Sequence, residues 1–179
     1  YVIQASANQF QVLSRVSSAM RIKMFDNVDE QRFQISYQGG GYYRIDNVSS
    51  GKSLAVKNGS SANKTDLIEE TWKGEDNQLW KILGAGSGQY FIRSKYGTYI
   101  DIANGTVADG NSVWLFEGNG SSAQKWKLNS DWADMEEKPV EDGTYEIASS
   151  INSSKVLDVA NGSFSNQANI QIFTSNAMS

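Results

Sequence analysis

The 179-residue chain has no cysteine and no histidine, and a single proline, Pro139. Without cysteine, neither a disulfide nor a thiolate metal site can form. Without histidine the commonest general base and metal ligand is missing, which excludes a Ser-His-Asp triad and a His-ligated zinc site. No cofactor is expected. Lys and Arg total 16 against 20 Asp and Glu, giving a net charge of −4 and a pI near 4.9. There is no basic stripe, which speaks against a nucleic-acid partner. No apolar run approaches the ~20 residues of a membrane helix, so membrane insertion is not expected. The sequence starts at Tyr1 without a signal peptide, and reads as a fragment of a longer protein.

What is present is a repeat. "NQLWKI" at residues 77–82 returns as "AQKWKL" at 123–128, and a weaker copy, "EQRFQI", stands at 30–35 with Phe33 in place of the Trp. Gln31, Gln78 and Gln124 are 47 and 46 residues apart. A second marker keeps step: Tyr1-Val2-Ile3, Tyr43-Arg44-Ile45, Tyr90-Phe91-Ile92 and Tyr145-Glu146-Ile147 each open a unit. The fourth unit reaches Ser179 before its Gln-x-Trp arrives. A fixed period of this size means that each unit leans on its neighbours for a core.

Within a unit the pattern is β. "YFIRS", "TYIDIA", "SVWLF" and "KWKL" are short, alternating and rich in aromatic and β-branched residues, and Gly, Asn and Ser separate them. That gives four strands per unit. Three such units over residues 1–130 are too few for a propeller and suit a threefold β-trefoil. Residues 131–141 are acidic, hold Pro139 and carry no marker, as a linker would. Residues 142–179 then restart the pattern as a truncated first repeat of a second trefoil. At about 38 residues, without its closing strand, that piece is expected to depend on other segments or chains for order.

The stretches "GTYIDIANGTVADGNSVWLFEGNGSSAQKWKL" (97–128) and "SSKVLDVANGSFSNQANIQIF" (153–173) resemble ricin B-chain-type lectin repeats, the Gln-x-Trp family of carbohydrate-binding modules. The resemblance implies an all-β trefoil whose repeat Trp residues, Trp80 and Trp126 with Phe33, pack in a shared core. It implies that each Gln satisfies buried backbone groups beside the turn before the last strand. It also implies a shallow sugar pocket in each repeat. There a carboxylate ends the second strand, an aromatic follows fifteen residues on, and polar residues of the next turn complete the site. An ionised carboxylate accepts hydrogen bonds from neighbouring hydroxyls, and a flat ring suits the apolar face of a hexose.

Carried over residue by residue, the third repeat offers Asp101, Phe116, Asn119 and Gln124, with two departures. Trp114 stands where a Gln is usual, and Ala123 where an Asn usually precedes the Gln. Trp114 and Phe116 alternate with Val113 and Leu115, so the two rings share the outward face if the aliphatics point inward. Asp101 is read as an exposed carboxylate whose loss would leave stability almost unchanged. In the second repeat Ala55 takes the Asp position and Glu70 the aromatic one. Trp72 lies two residues beyond Glu70, as if a two-residue insertion had displaced it, and Ala55→Asp is expected to restore a site in part. The adjacent Glu69 and Glu70 point to opposite faces of a strand, so solvated acids are the plainer reading than a catalytic pair. In the first repeat Gln11 is set at the Asp position, with Lys23 and Phe25 following. The fourth copy supplies Asp158, Gln171, Phe173 and Asn176.

The leading reading is a non-catalytic lectin module for galactosides or other glycans, secreted or at a cell surface, of bacterial type. The resemblance implies a catalytic or toxin domain elsewhere on the parent chain. A trefoil kept as a structural or protein-interaction spacer, its sugar sites decayed, is the alternative. A glycosidase is disfavoured, because the candidate carboxylates lie in separate repeats.

Overall fold

A computed structural model describes residues 1–130, 155–159 and 169–174. Two compact units divide the chain, Tyr1–Glu137 and Lys138–Ser179. The expected linker and most of residues 142–179, Asn176 included, lie outside the described residues.

The first unit is all β apart from short 3-10 turns. Its strands come in three sets of four. They are β1 (Val2–Ala5), β2 (Gln11–Val16), β3 (Ala19–Met24) and β4 (Phe33–Gly39); β5 (Tyr42–Asn47), β6 (Ser53–Val56), β7 (Thr65–Glu70) and β8 (Trp80–Gly86); and β9 (Gln89–Ser94), β10 (Tyr99–Ile102), β11 (Val113–Phe116) and β12 (Trp126–Asn129). The four strands per unit expected from the alternation are all present.

First and fourth strands form a ring. β1 pairs with β12, β12 with β9, β9 with β8, β8 with β5, and β5 with β4. The ring closes where Val2 bridges Arg32 and the Phe33 N–H donates to the Tyr1 carbonyl at 2.8 Å. Second and third strands form three hairpins that meet one another: β3 touches β7, β7 touches β11, and Arg21 on β3 bridges Ser112 next to β11. A closed ring capped by three hairpins is the β-trefoil.

The two sequence markers are partners across this ring. Tyr43 lies opposite Trp80 and Tyr90 opposite Trp126, with Tyr1 and Phe33 bonded in the first repeat. Trp80 and Trp126 are fully buried and Phe33 is 1% exposed. They share one core with Ile3, Leu13, Ile45, Leu54, Ile92 and Ile100. The indoles also find acceptors: Trp80 Nε1 donates to the Leu54 carbonyl at 3.0 Å and Trp126 Nε1 to that of Ile100 at 3.2 Å. Burying one such ring stabilises the fold by about 3 kcal/mol, and the donor leaves no unmet polar group behind.

The glutamines do the same job three times. Gln124 Nε2 donates to the Glu117 carbonyl (2.8 Å) and its Oε1 accepts from the Asn119 N–H (3.0 Å). Gln78 bonds Thr71 and Lys73, and Gln31 bonds Met24 and Asp26, at the matching offsets. Each amide braces the turn that leads into the last strand. This is why Gln is written two residues before each core ring: the turn exposes one carbonyl and one N–H toward the interior, and a buried primary amide answers both.

The second unit shows one hairpin, β13 (Lys155–Val159) paired antiparallel with β14 (Ile170–Thr174).

Candidate carbohydrate-binding site

Asp101 is the third residue of β10, directly opposite Trp114 on β11. Val113 and Leu115 turn into the core, as their alternation with the aromatics anticipates, so Trp114 and Phe116 face outward and are half-buried. Their rings stack with centroids 6.4 Å apart and planes 28° from parallel. Trp114 Nε1 donates to Asp101 Oδ1 at 2.8 Å.

Asp101 is 5% exposed, which corrects the expectation of an exposed carboxylate. Burial raises its pKa above the ordinary 3.8, and hydrogen bonds from Trp114 and Gln124 pull the other way. The carboxylate is therefore held in a fixed pose by two donors, at a desolvation cost.

These residues open onto a cleft of about 360 Å³ at the end of the β10–β11 hairpin, with Asn104 and Gly105 on one side and Asn119 and Ser121 on another. That volume is at the small end of ligand pockets, which run to about 300–1,000 Å³. The turn after β10 needs Asn104 at φ 56° and Gly105 at φ 67°; Asn58 (57°) and Gly59 (60°) repeat it after β6. Asn and Gly tolerate that left-handed backbone, hence the recurring Asn-Gly. Asn119 Oδ1 is engaged by the Ser121 N–H at 2.9 Å, so what Asn119 can offer a ligand is its NH₂. Gln124 is fully buried, with its amide committed to the main chain and to Asp101. It is a positioning residue beneath the cleft and not a wall of it, where the resemblance implies a sugar contact.

The other repeats differ at the same places. Ala55 is buried opposite Ile68 on β7, and Glu70 holds the position of Phe116. The interval from Ala55 to Ile68 equals that from Asp101 to Trp114, so no insertion separates the repeats. Trp72 belongs elsewhere, with the Arg44 guanidinium 4.9 Å from its ring centre. Glu70 accepts from Asn77 Nδ2 at 3.0 Å, and Glu69 is tied to Arg15 (2.7 Å) and Ser50 (2.9 Å). A cleft of about 320 Å³ persists there, lined by Glu70, Lys73, Glu75, Asn77 and Tyr96, with no aromatic at the position of Phe116. In the first repeat the register moves the Asp position. Arg21, ten residues before its Gln as Trp114 is before Gln124, lies opposite Ser14 and not Gln11. Lys23 stands where Phe116 does and pairs with Asp109 at 2.6 Å.

In the second unit Asp158 lies opposite Gln171, whose Nε2 donates to Asp158 Oδ2 at 2.9 Å. Phe173 is on the same face and 52% exposed. Trp114 thus does with an indole N–H what Gln171 does with an amide: each donates to the carboxylate from the cross-strand position. Among the described residues no cluster of acids suits a metal ion, and no helix is long and apolar enough to cross a membrane.

Sequence reasoning overlooked Lys64. It comes from the second repeat, yet lines the cleft of the third, its ammonium 5.5 Å from the Trp114 ring centre. Aligning "ANK" (62–64) with "ADG" (108–110) would have marked it as a departure from the repeat.

A family model for the ricin-type β-trefoil lectin domain-like family matches the chain twice, over residues 29–116 and 85–173. The chain belongs to this lectin family. Members are typically non-catalytic, and membership of this lectin family supports a carbohydrate-binding role. Among solved structures, a designed three-fold symmetric protein, ThreeFoil, is 26% identical with a TM-score of 0.64, the match covering 71% of this chain and 95% of that one. An exo-β-1,3-galactanase from Clostridium thermocellum is 34% identical (TM-score 0.64) over 72% of this lectin chain but only 29% of the galactanase chain. The Macrolepiota procera ricin B-like lectin, solved in complex with lactose, is 19% identical (TM-score 0.62), covers 71% of this chain and 91% of its own, and speaks to the fold alone. No curated protein sequence matches the chain.

Proposed function

We propose that the chain is a non-catalytic lectin module whose working site in the first unit is the third-repeat cleft, taking a galactose-type sugar. The observation that carries this is the oriented carboxylate. Asp101 is held by Trp114 at Oδ1 and by Gln124, beside the half-buried face of Phe116 and the NH₂ of Asn119. Asp101 accepts from adjacent sugar hydroxyls, Phe116 takes the apolar face, and Asn119 donates to a ring or hydroxyl oxygen. The cleft is open, so binding is weak, with Kd on the order of 1 mM, about 4 kcal/mol. Asp158, Gln171 and Phe173 belong to the corresponding site of the second unit. Linking weak sites raises avidity by about 10²–10⁴. The module serves a larger secreted or cell-surface protein by holding it on glycans, and the galactanase neighbour, of which the match covers less than a third, offers one pattern for such a parent.

A glycan array followed by chemical-shift titration tests the reading. Saturable shifts at Asp101 and Phe116 with lactose or galactose support it. Silence across galactosides, N-acetylated sugars, xylans and glucans would leave the trefoil as a spacer, in keeping with the lost carboxylate and ring of the first two repeats.

A further inference from the structure

The loop before β7 reaches out of its own repeat. Asn63 Oδ1 accepts the Glu117 N–H at 2.7 Å, and the Lys64 N–H donates to the Leu115 carbonyl at 2.7 Å. The loop before β11 makes the same pair of contacts one repeat on. Asp109 Oδ1 accepts the Met24 N–H at 2.9 Å, and the Gly110 N–H donates to the Ile22 carbonyl at 2.7 Å. Asn63 therefore matches Asp109, and Lys64 matches Gly110.

Both positions 64 and 110 have a left-handed backbone, φ 67° and φ 82°. Glycine is the ordinary occupant there, and the third repeat uses it; a long side chain at such an angle is uncommon. Lys64 is locked in that conformation by its loop. Thr65 Oγ1 donates to the Ala62 carbonyl at 2.7 Å, and the Ala62 N–H donates to Ser60 Oγ at 3.2 Å. The strain places a lysine on the rim of the proposed sugar cleft, its ammonium over the outer ring, Trp114. Among the described ion pairs Lys64 takes part in none, whereas Lys23, Lys57 and Lys95 are each paired with an aspartate. An unfavourable backbone maintained at a ligand cleft points to use of the side chain it carries.

We propose that Lys64 makes this cleft selective for glycans that carry an anionic substituent, a carboxylate or a sulfate, next to the sugar held by Asp101. This rests on the lectin reading of the same cleft. Asp101 at the floor repels an anion, so the charged group sits outward, where the exposed ammonium meets it. A lysine ammonium is a point charge on a flexible stem, so it accepts either anion without demanding a planar partner. Two exposed charges attract by about 1 kcal/mol, a preference of roughly five- to tenfold that salt weakens.

The test uses the full chain, titrated at low and high salt with lactose, 3′-sialyllactose and lactose sulfated at the 3′ hydroxyl. The readout is the ratio of neutral to acidic Kd. In the native protein at least one acidic ligand is expected to bind about five- to tenfold more tightly than lactose, with the ratio shrinking at high salt. Tightening by one acid alone supports the proposal and tells which anion is meant. In Lys64→Gly, which suits the backbone and carries the residue of the sister loop, the ratio should fall to about one. A native ratio near one with lactose bound overturns the role of Lys64 and leaves the lectin reading standing, as does a ratio that survives Lys64→Gly. If neither lactose nor its acidic derivatives bind, both readings fall together.

Discussion

The second and third repeats are built on the same scaffold and do different chemistry with it. Both bury a Trp whose indole bonds the carbonyl 26 residues back, at Leu54 or Ile100. Both brace the turn with Gln78 or Gln124, and both turn through Asn-Gly at left-handed φ. Among the positions where they part are Ala55 against Asp101, Ile68 against Trp114, Glu70 against Phe116, and Asn77 against Ala123. None of these eight residues carries the ring strands. A trefoil repeat can therefore lose its ligand chemistry without losing its place in the core, because the Gln and Trp serve the fold and the hairpin tip serves the ligand.

The largest effect should fall on what the two repeats share. Trp80→Ala and Trp126→Ala each remove a fully buried ring and orphan a carbonyl, and each should cost about 3–5 kcal/mol. Urea denaturation of the two variants measures this. Near-equal losses would uphold the equivalence; a Trp80 loss under half that of Trp126 would show that the scaffolds are not interchangeable.

Next comes the attempt to convert one repeat into the other. Ala55→Asp was expected from sequence to restore a site in part, but Ala55 is fully buried and faces Ile68, which has no donor to offer. The lone substitution should destabilise by about 2–3 kcal/mol at neutral pH and bind no sugar. Adding Ile68→Gln, to copy the Asp158–Gln171 pair, should recover a good part of that loss. A stable Ala55→Asp single variant with sugar affinity would break the comparison.

Most of the architecture was legible in the sequence. The Gln-x-Trp interval, the Tyr markers and the alternation in "SVWLF" all reflect period-two strands on a fixed repeat, and the fold reproduces them. The first-repeat site was not legible. Asp101 to Gln124 and Ala55 to Gln78 each span 23 residues, but Ser14 to Gln31 spans 17, because β2 runs straight into β3 through a tight turn at Ser17 and Ser18. Counting from similar letters then lands on Gln11. A repeat-by-repeat alignment could mark Lys64 as a departure but not place it at the third-repeat cleft, since the loop that carries it serves the neighbouring hairpin. The burial of Asp101 escaped for a related reason: it depends on the indole of Trp114 and the amide of Gln124 closing over it.

Asp101 itself separates binding from folding. Asp101→Asn keeps an oxygen for the indole and removes the charge, so sugar affinity should fall tenfold or more, about 1.4 kcal/mol, with no drop in Tm. The pH dependence has a definite sign. The folded pKa of Asp101 is raised, so the folded state holds this proton more tightly than the unfolded chain. Its share of stability is lowest above the folded pKa, grows as pH falls through it, and levels off below the ordinary 3.8. Asp109 and Glu30 run the other way: their pKa values are lowered by Lys23 and Ser49 respectively, and their support is lost as pH falls through those lowered values. Sugar binding needs the Asp101 carboxylate, so on acidification affinity should fade above pH 3.8, before the support from Asp109, lowered from that same value, is lost. Titrations of affinity and of ellipticity against pH check this, and coincident midpoints would count against it.

The smallest effect should come from exchanging the two donors. Trp114→Gln puts into the third repeat the residue that Gln171 is in the second unit. The amide can bond Asp101 from the same cross-strand position, as Gln171 bonds Asp158 at 2.9 Å. The carboxylate should stay oriented, and lactose affinity should change by no more than about threefold, well under 1 kcal/mol. What disappears is the ring that stacks on Phe116 and lies under Lys64. Trp114→Ala, by contrast, leaves the buried Asp101 without its cross-strand donor, and its affinity loss should exceed that of the Gln variant. Isothermal titration of the pair decides whether the indole is there as a hydrogen-bond donor or as a surface. Equal losses in the two variants would mean that the aromatic face matters and the N–H does not, and the parallel drawn between Trp114 and Gln171 would then be one of position only.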